Sequence, residues 1–318
     1  MAKQNPNLPR DTYKNKVLNL EKKYFQKILE VVNSSAFIQD LLLIEKEIRE
    51  NYPEYRDIWD LKNKIKVPAE RLTRHHIYTQ WHDLIDGIYP SPVSSDIGIR
   101  TNDAVICIDL KTIDTNGNAG DLRATAVENN QTSFNNKNYP YIKTASNLKS
   151  IDHYTRKPVL TYVVKIVYTD DKYSFTLSRN TFPTLIVACV PNGEISQLFD
   201  YNIIDNFKTY NYYSKKDGDY YSPIEIPRDT KNISEYVKDQ CVNLRNYISV
   251  NIQGKDAYFD MAHNTLWWQT SQNNKTVIAA VKSGGSVRFN NEILKERFDA
   301  ENNKWDGYIE ITISDEMA

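Results

Sequence analysis

Residues 95–113 constrain this chain more than any other stretch. Ser95 to Arg100 and Ala104 to Ile113 read as two short strands joined by a tight turn at Asn102-Asp103. Asn and Asp tolerate the left-handed backbone that a two-residue hairpin demands. The second strand is apolar and β-branched up to Ile108, then continues Asp109-Leu110-Lys111. Side chains alternate faces along a strand, so Asp109 and Lys111 share a face. With a two-residue turn, Thr101 faces Ala104, and counting outward Asp96 faces Asp109. Cross-strand partners have Cβ atoms roughly 5 Å apart. Two carboxylates that close on an otherwise apolar hairpin repel each other, and a divalent cation between them removes the repulsion. Mg²⁺ takes carboxylates, water and phosphate oxygens. Lys111 would stand beside a bound phosphate or a metal-bound water, a constellation suited to metal-assisted phosphodiester hydrolysis. The plain alternative is a solvated strand end that happens to read Asp-x-Lys. Asp96 at matching register weighs against it.

This hairpin resembles the active-site hairpin of the PD-(D/E)xK nuclease superfamily, to which most type II restriction endonucleases belong. Ser95-Asp96 matches the first half of the motif and Asp109-Leu110-Lys111 the second. The resemblance implies that Asp96 and Asp109 bind Mg²⁺, with the backbone carbonyl of Leu110 as a further ligand. It also implies that Lys111 orients and activates the attacking water. Ser95 stands where the family name has Pro, a position that shapes the backbone and carries no chemistry. The resemblance rests on residues 95–111 of 318. A helix precedes the first strand in that family and sometimes adds an acidic ligand. Glu70, Asp83 and Asp86 are the candidates here, with helix-end or surface positions as the plain alternative.

Composition sets outer bounds. A chain of 318 residues suits one elaborated domain or two modest ones. Hydrophobic residues make up 40% and charged residues 25%, as in ordinary globular proteins. No apolar run approaches a membrane span, and the N-terminal residues do not read as a signal peptide. Cys107, Cys189 and Cys241 are widely spaced, so neither a zinc ribbon nor a disulfide framework is indicated. A reducing cytoplasm is the expected location. The net charge of −1 argues against a protein that coats nucleic acid non-specifically. It leaves room for a local basic cleft. Residues 1–27 hold seven Lys or Arg against Asp11 and Glu21, and residues 142–181 hold seven against three Asp.

Before the hairpin the pattern is helical. Val17, Leu20, Tyr24, Ile28 and Val31 recur at helical steps, as do Phe37, Leu41, Ile44 and Ile48. A short helix is expected over Asp57–Lys66, stopped before Pro68, and another over Ala69–Gly87. His75 and His82 lie seven apart and, with His76, invite a metal-site reading, but the pair has no third ligand at a recognised spacing, and packing or phosphate contact is favoured. After the hairpin, residues 114–158 are polar and too long for an idle loop. Asn118, Asn129, Asn130, Gln131, Thr132 and Ser133 within it read as DNA contacts, since Asn and Gln can pair bidentately with adenine. A surface loop in an Asn-rich protein is the alternative. Val159–Tyr168 and Leu185–Val190 read as strands of the central sheet, and Ser234–Ser249 as an amphipathic helix. The tail is β-rich over Thr276–Val281, Ser286–Phe289 and Trp305–Ile313. Lys282 and Arg288 flank the turn at Ser283-Gly284-Gly285 as groove contacts or as a solvated hairpin end. The tyrosines between 200 and 222 either stack on bases or pack a loop. No Gly-rich phosphate loop and no GxSxG elbow is present.

The expectation is an α/β fold with a restriction-endonuclease-like mixed central sheet flanked by helices. Residues 1–66 would form an N-terminal helical extension and residues 67–318 the nuclease core with its recognition insertions. The expected function is Mg²⁺-dependent type II restriction cleavage of specific double-stranded DNA by a homodimer, without membrane association. A repair or nicking nuclease of the same fold, or a non-catalytic DNA-binding protein, stands as the alternative.

Overall fold

The computed structural model describes residues 11–54, 65–88, 95–116, 120–128, 131–134, 148–171, 174–199, 224–225, 247–252, 255–260, 265–272, 275–282 and 286–314. The chain divides into two compact units. One comprises residues 1–136, 146–205 and 289–318, and the other residues 137–145 and 206–288. The larger unit carries the hairpin and is a mixed α/β body with a seven-stranded sheet.

Its first two helices start at capping side chains. Asp11 accepts from the Tyr13 amide at 2.9 Å and opens α1, Thr12–Val32. Ser34 accepts from the Phe37 amide and opens α2, Ser35–Glu50. Such side chains satisfy amide groups that the first helical turn leaves without partners. The expected stripe on α1 is buried throughout. On α2 the stripe turns: Phe37, Leu41 and Ile48 are buried, but Glu45 takes the inner position and Ile44 is only half-buried. Helix α3 spans Lys66–Gln80. It starts earlier than expected because Pro68 falls in its first turn, where a missing amide hydrogen costs nothing. It also ends earlier, since Gly87–Ile88 is already strand β1. Residues 57–64 of the expected short helix lie outside the described residues.

The sheet runs β1, β2 (Ile97–Arg100), β3 (Val105–Asp114), β5 (Val159–Asp170), β7 (Leu185–Val190) and β16 (Tyr308–Ile311). Strand β6 (Phe175–Leu177) pairs with the far end of β5. β3 and β5 are parallel over ten residue pairs, and the other pairings are antiparallel. Parallel neighbours need a long crossover, and residues 115–158 supply it. That segment is not all loop: Gly120–Arg123 form a helical turn, α4, and Ala124–Glu128 form β4.

Helix α1 packs on the face that Ile108 and Tyr162 present, where the Tyr162 hydroxyl donates to the Glu21 carbonyl at 2.9 Å. The tail returns to the same unit as a hairpin of β14 (Arg297–Phe298) and β15 (Lys304–Trp305). Arg297 is fully buried. It pairs with the Glu21 carboxylate, donates to the Cys189 carbonyl at 3.0 Å, and lies over the Phe199 and Trp305 rings. Glu21 also accepts from the Asn192 amide at 2.7 Å.

The smaller unit holds a five-stranded antiparallel sheet: β8 (Ile224–Glu225), β12 (Lys275–Lys282), β11 (Thr265–Gln272), β10 (Lys255–Asp260) and β9 (Tyr247–Ile252). β13, Ser286–Asn290, follows as expected. Strand β9 corrects the helix expected over Ser234–Ser249. Tyr247, Ile248 and Ser249 pair with Asp260, Phe259 and Tyr258, and partner strands override the local helical spacing. The rest of that expected helix lies outside the described residues. Among the described residues no helix is long and apolar enough to cross a membrane.

Removing one member of a buried ion pair strands the other charge, which typically costs about 3–5 kcal/mol. Arg297→Met is therefore expected to destabilise the protein by that amount, as a lowered urea midpoint. Loss of the Glu21 and Arg297 charges together, in Glu21→Gln/Arg297→Met, should cost less than the single change.

Candidate active site

The hairpin forms with the expected register. Ile97 faces Ile108 and Arg100 faces Val105, and the Thr101 amide donates to the Ala104 carbonyl at 2.9 Å. The turn is pinned from α1: the Lys23 ammonium lies 2.6 Å from Asp103, and the Tyr24 hydroxyl donates to the same carboxylate. Burial alone would raise the Asp103 pKa, but the hydrogen bonds from Lys23 and Tyr24 outweigh it and hold the carboxyl below its usual value. Register and tether together decide where the far end of the hairpin lies.

At that far end Asp96 sits one residue outside the ladder, opposite Asp109. Its Oδ2 accepts from the Leu110 amide at 2.7 Å. The N–H and C=O of one strand residue leave by the same edge, so the Leu110 carbonyl also faces the Asp96 side. Asp109 is 1% exposed. The Lys111 ammonium lies 2.8 Å from its Oδ2, and apart from that ammonium neither oxygen has a partner among the described residues. The structure thus brings Asp96, Asp109, the Leu110 backbone and Lys111 into one cluster. Asp109, Val163, Ala188 and Tyr308 form one row across the sheet, and Lys111, Lys165, Ile186 and Glu310 form the next. β4 covers this face, with the Lys165 ammonium donating to the Ala124 carbonyl at 3.2 Å.

Burial pushes the Asp109 carboxyl up to about 7. Lys111 opposes the shift, and the charges of Asp96 and Glu128 add to it. Burial works to lower the Lys111 pKa, but Asp109, Glu128 and Asp96 overcome it and hold the ammonium above its usual value. Glu128, at the exposed end of β4, was not marked by the sequence pattern as part of this cluster. Its only signal was its place at the end of a short β-branched run. Of the three acids on the preceding segment, Glu70 is the one whose charge acts on Asp96: burial and then Asp96 raise its pKa. Asp83 pairs with His82 at 3.1 Å and Asp86 with Lys157 at 3.3 Å.

A divalent cation fits the donor set. The set offers two carboxylates, one with orphaned buried oxygens, and a main-chain carbonyl at the same edge. Mg²⁺ keeps several waters and needs only one or two carboxylates from the protein. Among the described residues no group of three His, Cys, Asp or Glu is placed to hold a metal. Two of the histidines are otherwise engaged: His76 is buried with its Nε2 2.8 Å from Asp40, and His82 Nδ1 lies 3.1 Å from the Thr79 carbonyl.

Of the residues expected to touch DNA, three can be described at their side chains. Gln131, Thr132 and Ser133 are buried. Gln131 accepts from the Glu128 amide, Thr132 accepts from the Phe134 amide, and Ser133 donates to the Val159 carbonyl at 2.8 Å. These three side chains serve the segment's own folding. Asn118, Asn129 and Asn130 lie outside the described residues. Lys282 lies at the end of β12 opposite Thr265, and Arg288 lies on β13.

A model of the family described as type II restriction enzyme MwoI, N-terminal domain, matches residues 14–172, half of the chain. The chain belongs to this family. The match runs from α1 through β5, so the type II restriction enzyme segment contains Asp96, Asp109 and Lys111. Two solved structures show a distant likeness. The restriction endonuclease BglI, bound to its DNA recognition sequence, is 12% identical over 60% of this chain and 79% of its own, with a TM-score of 0.40. The tetrameric restriction endonuclease SfiI, bound to cognate DNA, is 11% identical over 91% of this chain and 98% of its own, with a TM-score of 0.38. No curated protein matches the sequence. The family assignment rests on the first match alone, and the mixed sheet expected from the hairpin resemblance is present.

The Asp109 environment predicts a pH dependence. Its folded value of about 7 lies above the unfolded value of roughly 4. The folded chain then holds an extra proton between those values, so this group's contribution to stability falls as pH rises from about 4 to about 7 and is level above. Urea unfolding in EDTA at pH 5 and pH 8 should show a decline for the unaltered protein that is smaller in Asp109→Asn.

Proposed function

We propose that this protein is a Mg²⁺-dependent type II restriction endonuclease that hydrolyses phosphodiester bonds at a specific double-stranded DNA sequence. The observation that carries the reading is the meeting of Asp96, Asp109 and Lys111 at one end of a register-locked hairpin. Asp96, Asp109 and the Leu110 carbonyl would hold the cation. The chemistry such an ion supplies is Lewis-acid polarisation of a phosphate oxygen and a lowered pKa for bound water. The chain's own groups do the rest. The Leu110 amide fixes one Asp96 oxygen and leaves the other available. The sheet excludes water from Asp109, which strengthens its grip on charge. The Lys111 side chain is 31% exposed although its ammonium lies beside the buried Asp109 carboxylate. There its ammonium can donate to the scissile phosphate and orient the attacking water.

Base reading falls in this proposal to Asn118, Asn129 and Asn130 of the crossover, and groove contact to Lys282 and Arg288. Residues 1–66 serve as the helical extension, and residues 67–318 carry the core and the recognition segments. The setting is the cytoplasm. A palindromic site is met most simply by a two-fold dimer with one centre per strand. Sedimentation on cognate DNA should show two copies bound, and a lone copy on DNA would remove that part of the reading.

Plasmid DNA incubated with Mg²⁺ should yield discrete fragments, and none with EDTA. Asp96→Ala, Asp109→Ala and Lys111→Ala should each lower the rate at least about a hundredfold without changing the far-UV spectrum. Near-native cutting by any of them would end the assignment. Because cation binding must displace the Asp109 proton, apparent Mg²⁺ affinity should fall about tenfold per pH unit below about 7. Half-saturating Mg²⁺ measured at pH 6, 7 and 8 checks this.

A further inference from the structure

We propose that Arg74 is a positioning residue for the catalytic hairpin, holding the Asp96 main chain in place from helix α3. The inference rests on the nuclease reading above. Asp96 precedes Ile97, the first residue of the β2 ladder, so strand pairing does not fix it. The Arg74 guanidinium does so instead, with its Nη2 donating to the Asp96 carbonyl at 2.7 Å. Asp96 is then gripped at two points, at its carbonyl by Arg74 and at Oδ2 by the Leu110 amide. The two grips come from different elements, which fixes both the position and the rotation of the carboxylate.

The helix end of this clamp is rigid. Leu72, Thr73, His76 and Ile77 of α3 are buried, and His76 is tied to Asp40 of α2 at 2.8 Å. Glu70 lies one turn before Arg74 on the same face. Its charge repels that of Asp96 and attracts Arg74, so the guanidinium also offsets the acid nearest the grip. The magnitudes separate positioning from folding. An exposed charged contact of this kind adds little to stability. Loss of a group that orients a metal ligand typically costs about 10–100-fold in metal affinity or activity.

The test uses full-length protein and Mn²⁺ alone, with free ion counted by electron paramagnetic resonance, alongside thermal unfolding and Mg²⁺-supported plasmid cleavage. Arg74→Met is expected to bind Mn²⁺ at least about tenfold more weakly, with an unchanged thermal midpoint. Its cleavage should recover in part at high Mg²⁺. Arg74→Lys, which keeps a cationic donor, should regain part of the affinity. Unchanged Mn²⁺ binding in Arg74→Met overturns the proposal. So does a loss that comes with a lowered midpoint and no recovery in Arg74→Lys, because Arg74 would then serve the fold. Asp96→Ala separates the two levels. If it loses Mn²⁺ while Arg74→Met keeps it, only this inference fails; if it binds Mn²⁺ as the unaltered protein does, the nuclease reading fails with it.

Discussion

The pairing register of β2 against β3 is the constraint from which the site follows. A slip of one residue would turn Asp109 and Lys111 to the α1 side and leave Asp96 facing a neighbour on the wrong face. Several independent contacts oppose such a slip. The Asn102-Asp103 turn fixes the count between the strands, α1 holds that turn through Lys23 and Tyr24, and β3 is locked in parallel to β5 on its other edge. None of these groups does chemistry, yet they set which carboxylates meet.

The two faces of the sheet handle charge differently. On the helical side two buried carboxylates among the described residues each have several donors. Glu21 is matched by Arg297, and Glu45 by Arg179 at 2.8 Å and by the Leu177 amide at 2.7 Å. Such pairs are costly to desolvate and contribute mainly by specifying one arrangement. On the other side Asp109 is equally buried but answered only by Lys111. A buried acid left short of donors beside other acids calls for an explanation, and the cation of the proposed function supplies one.

The parts that could be read from sequence are those whose physics is local. The hairpin announced itself through alternation and turn residues within 19 positions, and Asp96, Asp109 and Lys111 came with it. The apolar stripe of α1 was equally plain. What escaped depends on distant partners. Glu21 and Glu45 look like solvated helix residues until Arg297 and Arg179 arrive from 276 and 134 positions away. Gln131, Thr132 and Ser133 look like an exposed polar loop, but they are buried, the first two bonded within the segment and Ser133 to the distant Val159 carbonyl. Tyr247 to Ser249 follow helical spacing and become strand because β10 offers its edge. Glu128 and Arg74 carry no local motif, and only the crossover and α3 bring them near the hairpin.

The separation of Glu21 from Arg297 has a consequence for how the protein is made. Glu21 leaves the ribosome 276 residues ahead of the guanidinium that neutralises it. Until then the first helix cannot settle on the sheet without burying a lone carboxylate. The outer strand β16 follows Arg297 closely, so two late-arriving pieces complete the larger unit. Until both have emerged, the larger unit lacks the cation of its buried carboxylate and the outer strand of its sheet.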